Sequence, residues 1–356
     1  MNFFHDFPSN AMESKLLIAF PYFFQKSFLL NFAAMKALIF TEINKALELQ
    51  DIPVPEEGNG LVRVDIKAAA LNHRDLFITQ GLYANIKTPC ILGSDGAGEY
   101  EGEKVVCYPA LDWGDETAFQ GPQFRVLGMP ENGTFAESIL LPKANVLPMP
   151  AHLTFQQAAA LPLAGLTAWR ALISRCQVQK GEKVLISGVG GGVALMALQL
   201  AMAKGAEVYV TSGSEEKIAK AINLGAINGE NYRDEGWDKR LKAASGGFDV
   251  IIDSAGGDGF SRFASLCNPG ARIGFYGGTL GKVNNLSLQP LFWKQVSLLG
   301  STMGSPKEFR DMLAFVEIHK IVPVVDSVFS LEDGNLAMER MQGGGQFGKI
   351  VLEINA

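Results

Sequence analysis

Hydrophobic and polar residues follow two different patterns along this chain, and the change falls near Pro150. From Met35 to about Pro150, short runs that alternate or are wholly apolar are separated by Gly and Pro, which is typical of β-strands joined by turns. We interpret five of these runs as strands: KALIF, LELQDIP, LVRVDIKAAAL, GAGEY and KVVCYPA. The pattern therefore predicts an all-β module with a twisted, barrel-like sheet, in which residues 112–133 form a long loop.

After Pro150 the pattern alternates between strands and helices. Thr154 is the expected N-cap of a helix with the sequence TFQQAAALPLAGLTAWRAL. The strands that follow are KVLIS, AEVYVT, FDVIID, ARIGFYG and VSLLG, and the helices are VALMALQLAMAK, SEEKIAKAINL, DEGWDKRLKAA and DGFSRFASL. Ser214 is a suitable N-cap, and Gly205 and Gly225 stand just past helix ends. This alternation predicts an α/β fold with a parallel, doubly wound sheet.

The C-terminal segment returns to the first module in our interpretation. PKEFRDMLAFVEIHK has helical spacing and FGKIVLEI has the pattern of a closing strand, and the α/β unit is already complete before them. We therefore assign residues 35–158 and 305–356 to the β-rich domain and residues 159–304 to the α/β domain.

Residues 1–34 are rich in phenylalanine and have two interpretations. One is a signal peptide, but Pro21 and Lys26 interrupt its apolar stretch and no basic segment precedes it. The other is that ordinary folding sequence begins at Met35 and that the preceding residues are an extension or a misplaced start. The second is favoured, because the alternating pattern of a strand begins only there, so residues 1–34 are expected to lie outside the core fold.

A run of glycines within residues 183–210 carries the first functional signal. A predicted strand enters the run, a long helix leaves it and a second strand follows, so this is a βαβ unit. The strict G-x-G-x-x-G pattern fails at Val193, whereas Gly188, Gly191 and Ala194 fit a looser variant. A helix N-terminus offers free N–H groups and a positive dipole end, which suits a pyrophosphate. The alternative is a packing turn that binds nothing.

The tip of the second strand indicates which dinucleotide is bound. NAD-binding units usually have an acidic residue there, which holds the ribose 2′-hydroxyl. Here Ser212, Gly213 and Ser214 occupy that region and Lys217 follows. Hydroxyl groups and an ammonium could hold a 2′-phosphate, so NADP(H) is favoured. The alternative for Lys217 is a solvated helix lysine.

Composition narrows the class of protein. The 356 residues suggest two domains, and 47% hydrophobic with 19% charged residues argues against disorder. The net charge of −6 argues against nucleic-acid and anionic-membrane partners. Four scattered cysteines form no ligand pair and are expected to be reduced, buried thiols. Since no stretch is long and apolar enough to span a bilayer, a cytoplasmic protein is expected.

Several motifs then occur in the order of a known family: LNHRDLFITQGLY, ILGSDGAGEY, GTFAES, AAALPLAGLTAW, the glycine run and FDVIIDSAGG. From Met35 to the C-terminus the chain resembles the medium-chain dehydrogenase/reductase superfamily, on its zinc-independent, quinone-oxidoreductase-like branch. The resemblance implies a GroES-like catalytic domain, a Rossmann cofactor domain, a cleft between them and a homodimer.

The resemblance also bears on metal binding. Zinc-using relatives hold a catalytic metal with a Cys, a His of a Gly-His-Glu segment and a Cys or Asp further on. The matching positions here are Asn72, Ser94 and Leu163, and these side chains cannot form a tetrahedral zinc site. No four-cysteine structural lobe is present either. We therefore expect no zinc.

The resemblance assigns further residues to the site. Asn72 and Tyr83 are the catalytic candidates; Tyr83 would donate a hydrogen bond or proton, or else only shape the pocket. Lys349 is expected near the adenosine end. The full set of expected cofactor contacts is Asn72, Thr167, Gly191, Gly192, Val193, Ser212, Lys217, Tyr232, Ser254, Tyr276, Gly277, Gly278 and Lys349.

These features together predict an NADPH-dependent oxidoreductase that transfers hydride to a small electrophile without a metal. The substrate would be a quinone, an α,β-unsaturated carbonyl compound or a simple carbonyl compound. Two alternatives remain: a zinc-type alcohol dehydrogenase, and an NADPH-binding protein with little turnover.

Overall fold

The computed structural model describes residues 33–354, and the structural statements below concern that part of the chain. The predicted N-terminal extension, residues 1–34, lies outside the described residues except for residues 33 and 34. The strands are β1 (Ala34–Phe40), β2 (Glu48–Pro53), β3 (Leu61–Ala70), β4 (Cys90–Ile91), β5 (Asp95–Tyr100), β6 (Glu103–Cys107), β7 (Ala110–Leu111), β8 (Arg125–Val126), β9 (Ser138–Pro142), β10 (Val146–Pro148), β11 (Lys183–Ile186), β12 (Glu207–Ser212), β13 (Asn228–Asn231), β14 (Phe248–Asp253), β15 (Cys267–Phe275), β16 (Ser297–Gly300), β17 (Val325–Ser330) and β18 (Lys349–Glu353). The helices are α1 (His73–Thr79), α2 (Phe155–Ala159), α3 (Pro162–Trp169), α4 (Gly192–Ala203), α5 (Glu215–Asn223), α6 (Trp237–Ser245), α7 (Phe263–Leu266), α8 (Leu288–Trp293), α9 (Pro306–His319) and α10 (Gly334–Gln342).

The β-rich part is built around a mixed sheet in the order β10-β6-β5-β3-β18-β17, with β9 also paired to β3. A smaller sheet, β2-β1-β4, and a two-stranded pair, β7-β8, complete it. Strand β18 pairs antiparallel with β3, Val351 lying opposite Ala70. The last strand of the described chain thus joins strands from its N-terminal part, and this is the GroES-like arrangement that the family resemblance implied.

The α/β part contains a parallel sheet in the order β13-β12-β11-β14-β15-β16. This is the doubly wound Rossmann order, in which the crevice for a ligand opens where the chain reverses direction between β11 and β14. The fold class predicted from the sequence is therefore confirmed. The central strands are apolar and buried because helices cover both faces of the sheet.

The helix caps predicted from the sequence of the α/β part are confirmed. Thr154 and Ser214 each accept a hydrogen bond from the backbone N–H three residues on. Gly205 and Gly225 have φ angles of +80° and +113°, the left-handed conformation that ends a helix. Such caps act within a few residues, so the sequence shows them directly.

Some predicted boundaries differ from the structure. The predicted helix over residues 154–172 is split into α2, α3 and a π-helical segment, Arg170–Arg175. The split falls at Pro162, which lacks a backbone donor and begins α3. The predicted helix over residues 258–266 is a 3₁₀ turn followed by the short α7. Strand β13 was not predicted, because its sequence NGEN has no hydrophobic pattern.

A hydrophobic core continues through both parts of the structure. Buried residues of β3 and β6 belong to one cluster with those of α3, α4 and β11. The four cysteines are free and buried, as the sequence predicts. Within residues 33–354, no helix is long and apolar enough to cross a membrane.

Candidate active site

A cleft of about 790 Å³ lies between the glycine run of the α/β part and helix α1 of the β-rich part. That volume is within the usual range for ligand sites. The sequence-predicted residues that line it are Asn72, Tyr83, Thr167, Gly191, Gly192, Val193, Ser212, Lys217, Tyr232, Ser254, Tyr276, Gly277 and Gly278. The structure therefore brings together residues from at least six elements, and of the predicted set only Lys349 is not part of the cleft lining.

The glycine run connects β11 to α4 at the floor of the cleft. It is held to the tip of β12, because the Val189 N–H donates to Thr211 O at 2.7 Å and Ser212 Oγ donates to Val189 O at 3.1 Å. Gly191 is the N-cap of α4 and offers no side-chain cap. A Cβ placed on Gly188 or Gly191 would meet no atom within 4 Å. The first N–H groups of α4 therefore face open space that a phosphate could fill.

Two further loops approach the cleft from the ends of β14 and β15. Asp253 accepts hydrogen bonds from the Ala255 and Gly256 N–H groups at 3.1 and 2.8 Å, which fixes the loop that contains Ser254. A Cβ on Gly277 would lie 2.6 Å from Ser254 O. Glycine at this position thus lets the two loops pack together at the carboxyl edge of the sheet.

One end of the cleft is polar and basic. Lys217, at the start of α5, donates to Gly344 O at 2.8 Å. Partial burial lowers the pKa of Lys217, and the charge of Asp326 acts in the opposite direction. A Cβ on Gly213 would lie 2.8 Å from both Tyr232 Oη and Arg233 Nε. Arg233 was not predicted; its position next to Tyr232 in the sequence was the available signal.

The opposite wall is organised around Asn72, which is 8% exposed. Its Nδ2 donates to Asp95 Oδ2 at 2.9 Å, and its Oδ1 accepts from Lys349 Nζ at 2.7 Å. Lys349 also donates to Leu71 O and to Asp95 Oδ2 at 2.6 and 2.8 Å. Both polar atoms of the Asn72 side chain are thus engaged by a buried Lys–Asp pair.

Lys349 differs from its expected location. It was expected near the adenosine end, but its ammonium is buried beside Asn72 and its stem packs so close to Gly192 that a Cβ there would lie 2.6 Å from Lys349 Cδ. The pairing of β18 with β3 brings the Lys349 ammonium to Leu71 and Asn72, where α1 begins. Asp95, which the sequence reasoning did not select, holds the other side of this pair.

Asp75, in the first turn of α1, is fully buried. Its Oδ2 accepts from the Asn72 N–H at 2.8 Å, while its Oδ1 has no partner among the described residues. Burial raises the pKa of Asp75 to about 6, against the opposing charge of Arg74. Asp75 therefore positions the start of α1 and does not line the cleft.

Arg74 and Tyr83 lie next to each other on this wall, with Arg74 Cζ 5.6 Å from the centre of the Tyr83 ring. Tyr83 is 40% exposed and its ring borders the cleft. Arg74 donates to Ser94 Oγ at 2.7 Å. Among the described residues, no group of three or more His, Cys, Asp or Glu side chains could hold a metal ion.

The cleft also contains an unpartnered polar atom. Gln346 is 6% exposed, and its Oε1 has no hydrogen-bond partner within the described residues. Buried polar atoms of this kind usually have a partner, so a ligand hydroxyl fits here. Together with the open cradle at Gly188 and Gly191, this atom fits a dinucleotide.

Known families and proteins are similar to this chain in sequence. Two sequence families match: "Alcohol dehydrogenase GroES-like domain" over residues 58–151 and "Zinc-binding dehydrogenase" over residues 192–317. A protein of Leptosphaeria maculans, the zinc-type alcohol dehydrogenase-like protein YogA, is 36% identical, covering 86% of this chain and 94% of its own length.

Solved structures are also similar. The crystal structure of an NAD-dependent alcohol dehydrogenase is 35% identical with a TM-score of 0.85, covering 90% of this chain and all of that one. The quinone oxidoreductase from Thermus thermophilus, also solved with NADPH, is 27% identical with a TM-score of 0.76, again covering 90% of this chain and all of that one.

Proposed function

Since this chain belongs to the medium-chain dehydrogenase/reductase superfamily, we propose that it is an NADPH-dependent oxidoreductase that reduces a quinone, an enone or a small carbonyl compound without a metal. The observation that carries the proposal is one cleft in which a glycine cradle at a helix N-terminus faces Asn72 and Tyr83. When bound, the reduced nicotinamide supplies the hydride for the substrate carbon.

The chain's own residues hold and orient the nucleotide in this proposal. The N–H groups of Gly192 and Val193 bind the pyrophosphate, helped by the α4 dipole. Thr167, 6% exposed, and Ser254 contact the nicotinamide half, while Tyr276, Gly277 and Gly278 close over it. Asn72 is fixed by Lys349 and Asp95, so it positions the ribose without rearrangement.

Preference for the phosphorylated nucleotide rests on the basic end of the cleft. Ser212, Lys217 and Tyr232 line it, and Arg233 adds a second cation beside Gly213. Ser212 ends β12 where NAD-binding units usually have an acidic residue, and the nearby Glu216 is exposed and paired with Lys220, which supports a site for the 2′-phosphate. One similar solved structure is named an NAD-dependent alcohol dehydrogenase, so NAD(H) is the competing hypothesis for the nucleotide.

Metal independence is supported by the chemistry of the residues at the expected ligand positions. Asn72, Ser94 and Leu163 offer an amide, a hydroxyl and an aliphatic side chain, and zinc favours thiolate, imidazole or carboxylate. The relative named zinc-type supplies the alternative, a zinc-dependent alcohol dehydrogenase. The four free thiols fit a reducing compartment such as the cytoplasm.

The decisive experiment measures binding, turnover and metal content on the same preparation. We expect NADPH to bind at least tenfold more tightly than NADH by calorimetry, and absorbance at 340 nm to fall with some quinones, enals or aldehydes. Mass spectrometry of the intact protein should find less than one zinc per ten chains. Tight NADPH binding without turnover would favour the binding-protein alternative, and one zinc per chain would favour the zinc-dependent enzyme.

A further inference from the structure

We propose that the guanidinium of Arg74 binds the oxygen of the carbonyl substrate and takes the place that a metal holds in zinc-dependent relatives. This inference rests on the proposed reductase function and names its electrophilic group and substrate class. The substrate is a compound with an uncharged carbonyl oxygen, either an aldehyde or an α,β-unsaturated carbonyl compound.

The contacts of Arg74 fix the guanidinium beside Ser94, one of the expected metal-ligand positions. Its Nη1 donates to Ser94 Oγ at 2.7 Å and to Leu127 O at 2.6 Å, and its Nη2 donates to Met129 O at 3.2 Å. Ser94 is one of the positions where relatives have a metal ligand. The charge therefore lies within one hydrogen bond of that position and is held by two loop segments outside its own helix.

The guanidinium keeps donors for a ligand. It has five N–H bonds, of which three are used, so Nε–H and one Nη2–H have no acceptor within residues 33–354. The side chain is half-buried and lines the cleft. A cation with two unused donors at the wall of a cleft suits a substrate oxygen that gains negative charge.

The surroundings disfavour a metal at the same place. Asn72 Oδ1 already accepts from the Lys349 ammonium, and Ser94 Oγ accepts from Arg74 while it donates to Leu127 O. A zinc ion there would lie against both cations, and among the described residues no group of three or more His, Cys, Asp or Glu side chains could hold it. The family description "Zinc-binding dehydrogenase" thus disagrees with the donor set of this chain.

Hydride transfer, stabilisation of the oxyanion and proton transfer together give a balanced reaction. Hydride addition to the carbonyl carbon, or to the β-carbon of an enone, moves an electron pair onto the substrate oxygen. Arg74 stabilises the resulting alkoxide or enolate through two charge-assisted hydrogen bonds and keeps its own protons. The proton that completes the product comes from the hydroxyl of Tyr83, a residue that is 40% exposed and whose ring lies beside Arg74, and water then reprotonates Tyr83.

Binding of an unreactive analogue tests this role apart from turnover. Butyramide has the carbonyl oxygen of a substrate but accepts no hydride, and its Kd in the presence of NADPH can be measured by calorimetry. Removing one electrophilic donor typically lowers kcat by about 10²–10³. We expect R74Q to weaken butyramide binding by at least tenfold and to lower kcat about 10²-fold or more, whereas NADPH affinity should stay within twofold of wild type.

A matched control separates binding from loop anchoring. Arg125 also ties the long loop, through Asp112 and Glu131, but is not part of the cleft lining. R125Q should leave butyramide affinity and kcat unchanged. If R74Q binds butyramide as wild type does, or if R125Q loses affinity to the same extent, Arg74 is only a structural tie and the inference is overturned.

Further outcomes of these experiments also support or overturn the inference. If R74Q does not fold, R74K retains the charge but loses the planar fork, and wild-type affinity of R74K for butyramide would overturn the inference. Stoichiometric zinc in the purified wild type would overturn it as well. Failure of wild type to bind NADPH would instead refute the proposed function, so the two failures are distinguishable.

Discussion

The glycines of the cradle differ in what a side chain at each position would contact. Gly190 has φ +141°, and a Cβ there would press on Lys217; a Cβ on Gly192 would press on Lys349. Gly191 has an ordinary φ of −82° and open space before it. Only Gly191 can therefore be changed without backbone strain or a clash, which makes it the cleanest probe of the phosphate site.

The first prediction concerns Gly191→Ala. The added methyl group should occupy space needed by the pyrophosphate and weaken NADPH binding by tenfold or more, measured by fluorescence titration. The thermal midpoint should not fall, since Ala fits this backbone conformation. Gly58→Ala is the control, because a Cβ there also meets nothing within 4 Å but lies outside the cleft. Unchanged affinity in Gly191→Ala would argue against the cradle.

The second prediction concerns Asp75 and pH. Its pKa in the folded protein, about 6, is above the ordinary 3.8, so the folded state binds the proton more tightly. The free energy of unfolding should therefore fall as pH rises from about 4 to about 6, by up to about 1.4 kcal/mol per pH unit from this group. Urea titrations should show that slope in wild type but not in Asp75→Asn. Identical slopes would contradict the assignment.

At the element scale, the helices that border the cleft depend on contacts that the sequence does not show. The π-helical segment after α3 is anchored by Arg170, which pairs with Glu308 of α9 in a buried contact and donates to Thr117 O and Ala118 O of the long loop. Glu308 also completes the capping box with Ser305. One ion pair thus joins two helices and a loop.

The third prediction tests that ion pair. Glu308→Leu leaves the Arg170 charge buried without its partner and should lower the free energy of unfolding by about 3–5 kcal/mol in urea titrations. The double variant with Arg170→Met should lose less, because no unpaired charge remains. Asp311→Asn removes an exposed pair with Lys307 on the same helix and should cost less than about 1 kcal/mol. Equal losses in the single and double variants would contradict this reasoning.

At the scale of the whole molecule, the sheet of the α/β part has an exposed edge. Strand β16 pairs only with β15 in the described part of the chain, and Leu298 on it is 41% exposed. Nearby, Phe292 and Trp293 of α8 are 66% and 81% exposed. Unpaired strand edges and clustered apolar side chains favour association, which agrees with the homodimer that the resemblance implies.

The fourth prediction is that this edge forms the interface of a homodimer. Sedimentation equilibrium should give the mass of two chains for wild type. Leu298→Lys places a charge on the edge and should shift the mass toward one chain, while the exposed Leu82→Lys, on the other part of the molecule, should not. A wild-type mass equal to one chain would exclude the dimer.

Features that depend on neighbouring residues can be read from the local sequence. The glycine run between β11 and α4, the caps at Thr154 and Ser214, and the main alternation of strands and helices in the α/β part follow from local periodicity and turn chemistry. The structure gathers every candidate residue predicted from the sequence, except Lys349, into the lining of one cleft. Their roles stay predictions.

The contacts between distant segments follow from the three-dimensional fold alone. The pairing of β18 with β3 places Lys349 against Asn72 and Asp95, residues more than 250 positions away, and the fold of the loop around Leu127 and Met129 gives Arg74 its anchor. Strand β13, polar in sequence, forms because its backbone completes the sheet beside β12. Such contacts depend on the path of the whole chain, and local patterns carry no information about that path.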